Sequence, residues 1–286
     1  MRKIKEYLLN VLTFAFGRLI FFRINILILK IILKFIGYNN HKNFEFSGEI
    51  NFLKKICKKK PKLCVDIGAN IGNYSLFLLE NSKTKVIAFE PMPNAFNNLI
   101  KIKKKFLSRF FIYNIGLGNK IERKKLNYNP SNLQWSNFNP EVNKINYLKY
   151  NNKNILSKIT TLDYFVKKNK ILFKDKIFLM KIDTEGYEYE VLQGALKTIK
   201  KLEPYYIHIE YNWHHLFKNV NLYHLSKLLP KYKIYKILPF GNGLANIDPI
   251  RPEHNYFNYS NFNNFFSLII EKIYFEPSLL KCPVSL

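Results

Sequence analysis

Carboxylates cluster at three places in this 286-residue chain, each at the end of a short apolar run, where a rigid strand could present them to a polar ligand. The first is Asp66-Ile-Gly68-Ala-Asn70-Ile-Gly72-Asn73-Tyr74-Ser75, a glycine-bearing turn that opens directly into a helical pattern. Gly68 permits a tight turn, Gly72 lets backbone approach a ligand, and the helix N-terminal amides can meet a negative group. The second is Glu90, 22 residues after Gly68, placed to accept hydrogen bonds from both ribose hydroxyls of an adenosine. The dinucleotide fingerprint G-x-G-x-x-G is broken, since Asn70 stands at its second glycine. Asp66 before the turn suits a ligand with a cationic amine. Together these residues favour S-adenosylmethionine over NAD, with Asp66, Gly68, Asn70, Gly72, Asn73 and Glu90 as the cofactor-binding set.

The third place is a pair of acidic ends, Lys181-Ile-Asp183-Thr-Glu185-Gly-Tyr-Glu188 and His208-Ile-Glu210-Tyr-Asn212. Neighbouring carboxylates withdrawn from water have raised pKa values, which suits a general base for a hydroxyl. Asp183, Glu185 and Glu210 are therefore the candidate catalytic residues. Methyl transfer from a sulfonium asks for an in-line nucleophile, so positioning supplies most of the rate, but an alcohol must also lose its proton. The alternative use of these oxygens is to hold Mg²⁺ or a similar hard cation on Asp183, Glu210 and Asn212; the metal-free base is preferred. His208, His214 and His215 are read as structural.

These residues need a scaffold that brings strand ends together. Apolar runs at 63–67, 85–89, 110–115, 177–182 and 205–209 alternate with helical patterns at 74–81, 94–106, 188–201 and 222–229, as in a parallel sheet with crossover helices. Ligands bind beyond the carboxyl ends of such strands. Two further strands are expected at 232–238 and 265–270, around a Gly-Asn-Gly turn at 241–243. Between 119 and 158 the chain turns polar and Asn-rich. That stretch predicts a loop or hairpin excursion and is the candidate for substrate recognition.

Hydrophobic residues make up 48% and aromatic residues 16%, which excludes a globally disordered chain. The net charge of +26 comes from 46 basic residues of which six are Arg. Lys set among abundant Asn, Ile and Phe reads as a compositional bias with a solvated surface rather than a polyanion site. Cys57, Cys64 and Cys282 form no C-x-x-C pair, so neither disulfides nor zinc are indicated and a reducing cytoplasm fits. The stretch 7–37 is strongly apolar, but its longest uncharged run, 7–17, is too short to span a bilayer. On a helical wheel Arg23, Lys30 and Lys34 share one side, so the segment could lie in a membrane interface or pack on the core.

Taken in order, Val65-Asp-Ile-Gly-Ala-Asn-Ile-Gly-Asn-Tyr-Ser75, Ala88-Phe-Glu-Pro91, Lys181-Ile-Asp-Thr-Glu-Gly-Tyr-Glu-Tyr-Glu-Val-Leu-Gln-Gly194 and Ile207-His-Ile-Glu210 resemble the FkbM-type methyltransferases. Thr161-Leu-Asp163 fits the same pattern. The resemblance implies a Rossmann-like class I fold, with a seven-stranded, mostly parallel sheet, an antiparallel last strand and helices on both faces. It also implies contact of Asp66, Gly68, Asn70, Gly72 and Glu90 with S-adenosylmethionine, a reaction centre lined by Asp183 and Glu185, and O-methylation of a sugar, glycan or related metabolite. The expected division is a basic, apolar helical extension over 1–44 and a methyltransferase domain over 45–286. A nucleic-acid acceptor is disfavoured, because Asp183-Thr-Glu-Gly186 stands where amino-group enzymes carry an Asn/Asp-Pro-Pro-aromatic turn, and Cys282 lies far from the motifs. A catalytically silent polyanion-binding module and an NAD-dependent oxidoreductase are the remaining rivals.

Overall fold

Runs of five or six apolar residues can hide on both sides only in the middle of a sheet covered by helices, and this requirement organises the chain. The computed structural model describes residues 2–36, 47–129, 132–139, 153–241, 243–251, 254 and 266–272. Two helices, α1 (Arg2–Phe16) and α2 (Phe22–Phe35), precede the core. The core begins with α3 (Glu49–Lys58), β1 (Leu63–Ile67), α4 (Asn73–Asn81), β2 (Lys85–Phe89), α5 (Pro93–Lys105) and β3 (Phe110–Tyr113). Then come β4 (Gly116–Leu117), β5 (Glu122–Asn129), β6 (Asn132–Asn137) and β7 (Lys153–Thr160). The chain continues through α6 (Leu162–Lys168), β8 (Ile177–Ile182), α7 (Glu188–Gln193), α8 (Leu196–Leu202), β9 (Tyr206–Tyr211) and α9 (Leu222–Leu228). It closes with β10 (Tyr232–Ile237), β11 (Leu244–Ile247) and β12 (Phe266–Lys272).

The main sheet runs β11-β10-β12-β9-β8-β1-β2-β3. Strands β3, β2, β1, β8 and β9 are parallel, and β12 inserts antiparallel between β9 and β10. This is the expected Rossmann-like class I architecture with its antiparallel last strand. The strand count differs, being eight instead of seven, because the chain turns back after β10 and 244–247 pairs antiparallel with it. Leu238 N donates to Gly243 O at 3.1 Å to close that turn, whose Asn242 lies outside the described residues. One face of the sheet packs on α3, α4 and α5 through Phe52, Leu53, Ile56, Leu78, Leu79 and Leu99. The other packs on α6 to α9 through Leu162, Phe165, Val191, Ile199, Leu222 and Leu225.

Two further expectations need correction. The helix expected over 188–201 is two helices, broken at Gly194 and Ala195, where Asp163 N donates to Gly194 O at 3.0 Å. Here Thr161-Leu-Asp163 has a structural part: Thr161 Oγ1 caps α6 by accepting from Tyr164 N at 3.0 Å. Asp163 accepts from Lys197 N and Thr198 N at 3.1 and 2.7 Å, capping α8. The excursion over 119–158 is more than a hairpin. Strand β5 pairs antiparallel with β7 and β6, and β4 joins β7 in parallel, giving a second, four-stranded sheet. Residues 140–152 of the excursion lie outside the described residues.

Candidate functional site

Strand parity decides which polar side chains meet, since residues two apart share a face and strands in register place them side by side. Asp66 aligns with Ala88 on one side and Lys181 on the other, and Lys181 aligns with His208. Asp66, Lys181 and His208 therefore form one rung on the face covered by α3 and α4, and Asp183 and Glu210 follow one step nearer the carboxyl ends. The strand order β9-β8-β1-β2 brings the acids of four separate segments to one rim.

The β1 turn is a cradle made by backbone. Gly68 has φ 77°, and a Cβ there would come within 1.7 Å of the Asp183 carbonyl oxygen, so no other residue fits. Gly68 N and Ala69 N both donate to Phe89 O, at 2.9 and 3.0 Å. Asn70 N donates to Glu90 Oε2 at 2.8 Å, and Met92 N donates to Glu90 Oε1 at 2.7 Å. Glu90 is thus held by two amides that fix its carboxylate at the end of β2, leaving each oxygen a further lone pair. Burial raises its pKa to about 7, partly opposed by those two amide hydrogen bonds. Gly72, at φ 91°, starts α4 with no side-chain cap, and Asn73 is exposed at the first helical position.

Asp66 is fully buried and accepts from Ser75 Oγ at 2.6 Å. Its other oxygen, Oδ1, has no hydrogen-bond partner and lies 3.9 Å from Lys181 Nζ. Lys181 reaches instead to Asp183 Oδ2 at 2.8 Å. The distances explain the electrostatics. Burial by itself pushes the Lys181 amine down, but the Asp183 and Asp66 carboxylates outweigh it and hold the ammonium charged. Burial would also raise Asp183, yet Lys181 and the hydrogen bond from Glu210 keep it ionised below the usual carboxylate range. Asp66, the more distant partner, stays raised through burial. Glu210 is pushed well above the carboxylate range by desolvation, by the Asp183 charge and by its hydrogen bond to Asp183, so this pair shares one proton, carried by Glu210.

Glu185 sits apart from that pair, at φ 52° in the turn after β8. Its Oε2 is 3.2 Å from His214 Nδ1 and accepts from Asn212 Nδ2 at 3.3 Å. Desolvation raises Glu185, partly offset by His214. Carboxylate oxygens of Asp183, Glu185 and Glu210 all lie within 4.8 Å of one another, as the sequence reading required. The alternative metal set of Asp183, Glu210 and Asn212 fits less well: the Asn212 side-chain oxygen accepts from His214 N at 3.1 Å and its amide nitrogen, not its oxygen, faces Glu185.

His208 and His215 are engaged by neighbouring side chains. The His208 imidazole is neutral, its pKa brought to about 3 by burial and the Lys181 charge, and its Nδ1 meets Tyr74 Oη at 2.9 Å. His215 Nε2 faces Glu188 Oε2 at 3.1 Å. Glu188 in turn accepts from Thr184 N at 2.7 Å and Gly186 N at 3.2 Å, clamping the turn that carries Glu185. Sequence reasoning did not single out Lys181, Ser75 or Glu188. Lys181 had a signal, since it precedes Asp183 by two on a strand and so shares its face; Ser75 and Glu188 had none beyond sitting inside the motifs.

A model of the methyltransferase FkbM domain matches residues 66–237, from Asp66 through the whole acidic rim. The chain belongs to the FkbM methyltransferase family. Its methyl donor is S-adenosylmethionine. Among solved structures, the FkbM methyltransferase of Methylobacillus flagellatus KT is 17% identical with a TM-score of 0.44, the match covering 74% of this chain and 43% of that one. An rRNA methylase from Streptococcus thermophilus is 14% identical at TM-score 0.41, covering 82% and 99%. A Streptococcus mutans protein in complex with SAH is 13% identical at TM-score 0.40, covering 78% and 97%. No curated protein matches the chain. The residues of this FkbM-family site fit the donor: the Gly68 cradle excludes any side chain, Glu90 offers two oxygens, and the buried oxygens Asp66 Oδ1 and Asn70 Oδ1 lack partners beside the turn.

Proposed function

We propose that this FkbM-family enzyme methylates a hydroxyl of a sugar, glycan or related metabolite, with Glu185 as general base. The observation that carries the reading is the unequal state of three carboxylates within 4.8 Å of one another. Lys181 holds Asp183 ionised, the Asp183 charge pushes Glu210 towards its protonated form, and desolvation raises Glu185 above the usual carboxylate range, the direction a general base needs. When bound, S-adenosylmethionine supplies a methyl group on a sulfonium that departs as a neutral thioether. The protein's own part is to hold an acceptor hydroxyl at the rim, take its proton on a Glu185 carboxylate oxygen as the oxygen–methyl bond forms, and release that proton to water afterwards. With the Glu210 proton directed at Asp183, the remaining lone pairs of the two carboxyl groups can accept from further hydroxyls of the acceptor, and vicinal hydroxyls on a sugar supply that pattern. His214, 3.2 Å from Glu185, keeps the base oriented.

The test is transfer of labelled methyl to a panel of nucleotide sugars, free glycans and RNA. Label in an alkali-stable ether of a sugar is expected; label confined to RNA bases would refute the acceptor class.

A further inference from the structure

Helices α1 and α2 are the part of the molecule that the enzyme's chemistry does not use. They bend apart at Gly17, whose N donates to Thr13 O at 2.7 Å, and Asn25 Nδ2 ties the bend by donating to Phe16 O at 2.9 Å. No side chain of α2 is buried; near its end only Leu33 and Ile36 are partly covered by the core. Most of the other apolar residues face outward. On α2, Ile24, Ile28, Ile31 and Phe35 repeat at helical spacing and are 44–74% exposed. On α1, Ile4, Tyr7, Leu8, Val11 and Phe14 repeat likewise and are 46–76% exposed. At 100° per residue α2 has three sectors: Leu33 and Ile26 toward the core, Arg23, Lys30 and Lys34 in a narrow stripe beside them, and the isoleucine face beyond.

Two whole helices of exposed Ile, Leu and Phe exceed what a water-soluble surface carries without an occupant. The charge identifies it. Residues 2–36 hold seven Lys and Arg against the single Glu6. A second copy of the chain would bring the same positive field, on a protein of net charge +26, to this face, whereas an anionic lipid surface is attracted by it. No described helix is long and apolar enough to cross a membrane. An apolar face bordered by a basic stripe is instead the pattern of a helix lying in the headgroup region. We infer that α1 and α2 dock the enzyme on an anionic phospholipid surface, with the isoleucine face in the acyl boundary and Arg23, Lys30 and Lys34 among the lipid phosphates. The acidic rim would then work beside the bilayer, whatever its acceptor.

The full chain should sediment with vesicles of phosphatidylcholine containing one quarter phosphatidylglycerol and far less with pure phosphatidylcholine. The double variant I28E/I31E should lose that binding. R23Q/K30Q should weaken it by roughly fivefold for each cation removed. Neither change touches the core, so both variants should keep wild-type affinity for SAH. Failure of the wild-type chain to sediment with anionic vesicles overturns the inference, as does equal binding to both kinds of vesicle, or I28E/I31E binding like wild type. A wild-type dimer that I28E/I31E converts to monomer, with no vesicle binding, would give the face to a second copy and overturn it as well.

Discussion

The two halves of the rim are built on different principles. On the β1–β2 side, Glu90 is met by two backbone amides and Asp66 by Ser75. On the β8–β9 side, Asp183, Glu185 and Glu210 face one another, and Lys181 supplies a countercharge 2.8 Å from Asp183. Hydrogen bonds from rigid backbone fix geometry without adding charge, which suits a half that must hold a nucleoside in one pose. Crowded carboxylates spread their proton affinities, which suits a half that must move a proton. Lys181 belongs to both, since its ammonium lies 2.8 Å from Asp183 and 3.9 Å from Asp66.

The largest effect should come from the proton-moving half. Glu185→Gln keeps the shape and removes the base, so turnover should fall by about 10²–10⁴ while SAH affinity stays within a few-fold. Retained turnover would assign the proton to another group and erase the distinction between the halves. Next is the shared cation. Lys181→Met leaves two buried carboxylates without their countercharge, and thermal or urea unfolding should show a loss of about 3–5 kcal/mol. A near-wild-type midpoint would mean that the two halves do not depend on one ammonium.

The smallest effect sharpens the cofactor half. Burial sets the Glu90 pKa at about 7, above its unfolded value, so its protonated form is favoured by folding; that stabilisation is full below pH 4.5 and fades as pH rises through 7. Ribose hydroxyls donate to the ionised form. Calorimetric SAH affinity should therefore rise roughly tenfold from pH 6 to pH 8, and Glu90→Gln should flatten that profile. A wild-type profile already flat across this range would show that Glu90 does not receive the ribose.

Much of this was legible in the sequence. The runs at 63–67, 85–89 and 177–182 became strands with those bounds, because a fully buried parallel strand is a short, continuous apolar run. The glycine turn with Glu90, the acids after β8 and Glu210 near the end of β9 also stood where their spacing put them, since strand ends and turns are written in local residues. The excursion over 119–158 was not legible as a sheet. Its strands alternate weakly, and Glu122 finds its partner Ile159 37 residues away, a pairing that no local pattern announces. Nor was β11, whose four residues become a strand only because β10 offers an open edge.

By itself the sequence determined which residues stand at strand ends and, through the two-residue period, that Lys181 shares a face with Asp183 and His208 with Glu210. Only the tertiary structure decided that Lys181 lies between Asp183 at 2.8 Å and Asp66 at 3.9 Å, that Glu210 hydrogen-bonds Asp183, and that Glu188 clamps the turn under Glu185. The physical reason is that parity is local, while partners depend on strand order. Placing β8 between β1 and β9 brings together carboxylates more than a hundred residues apart, and their distances set which of them stays charged.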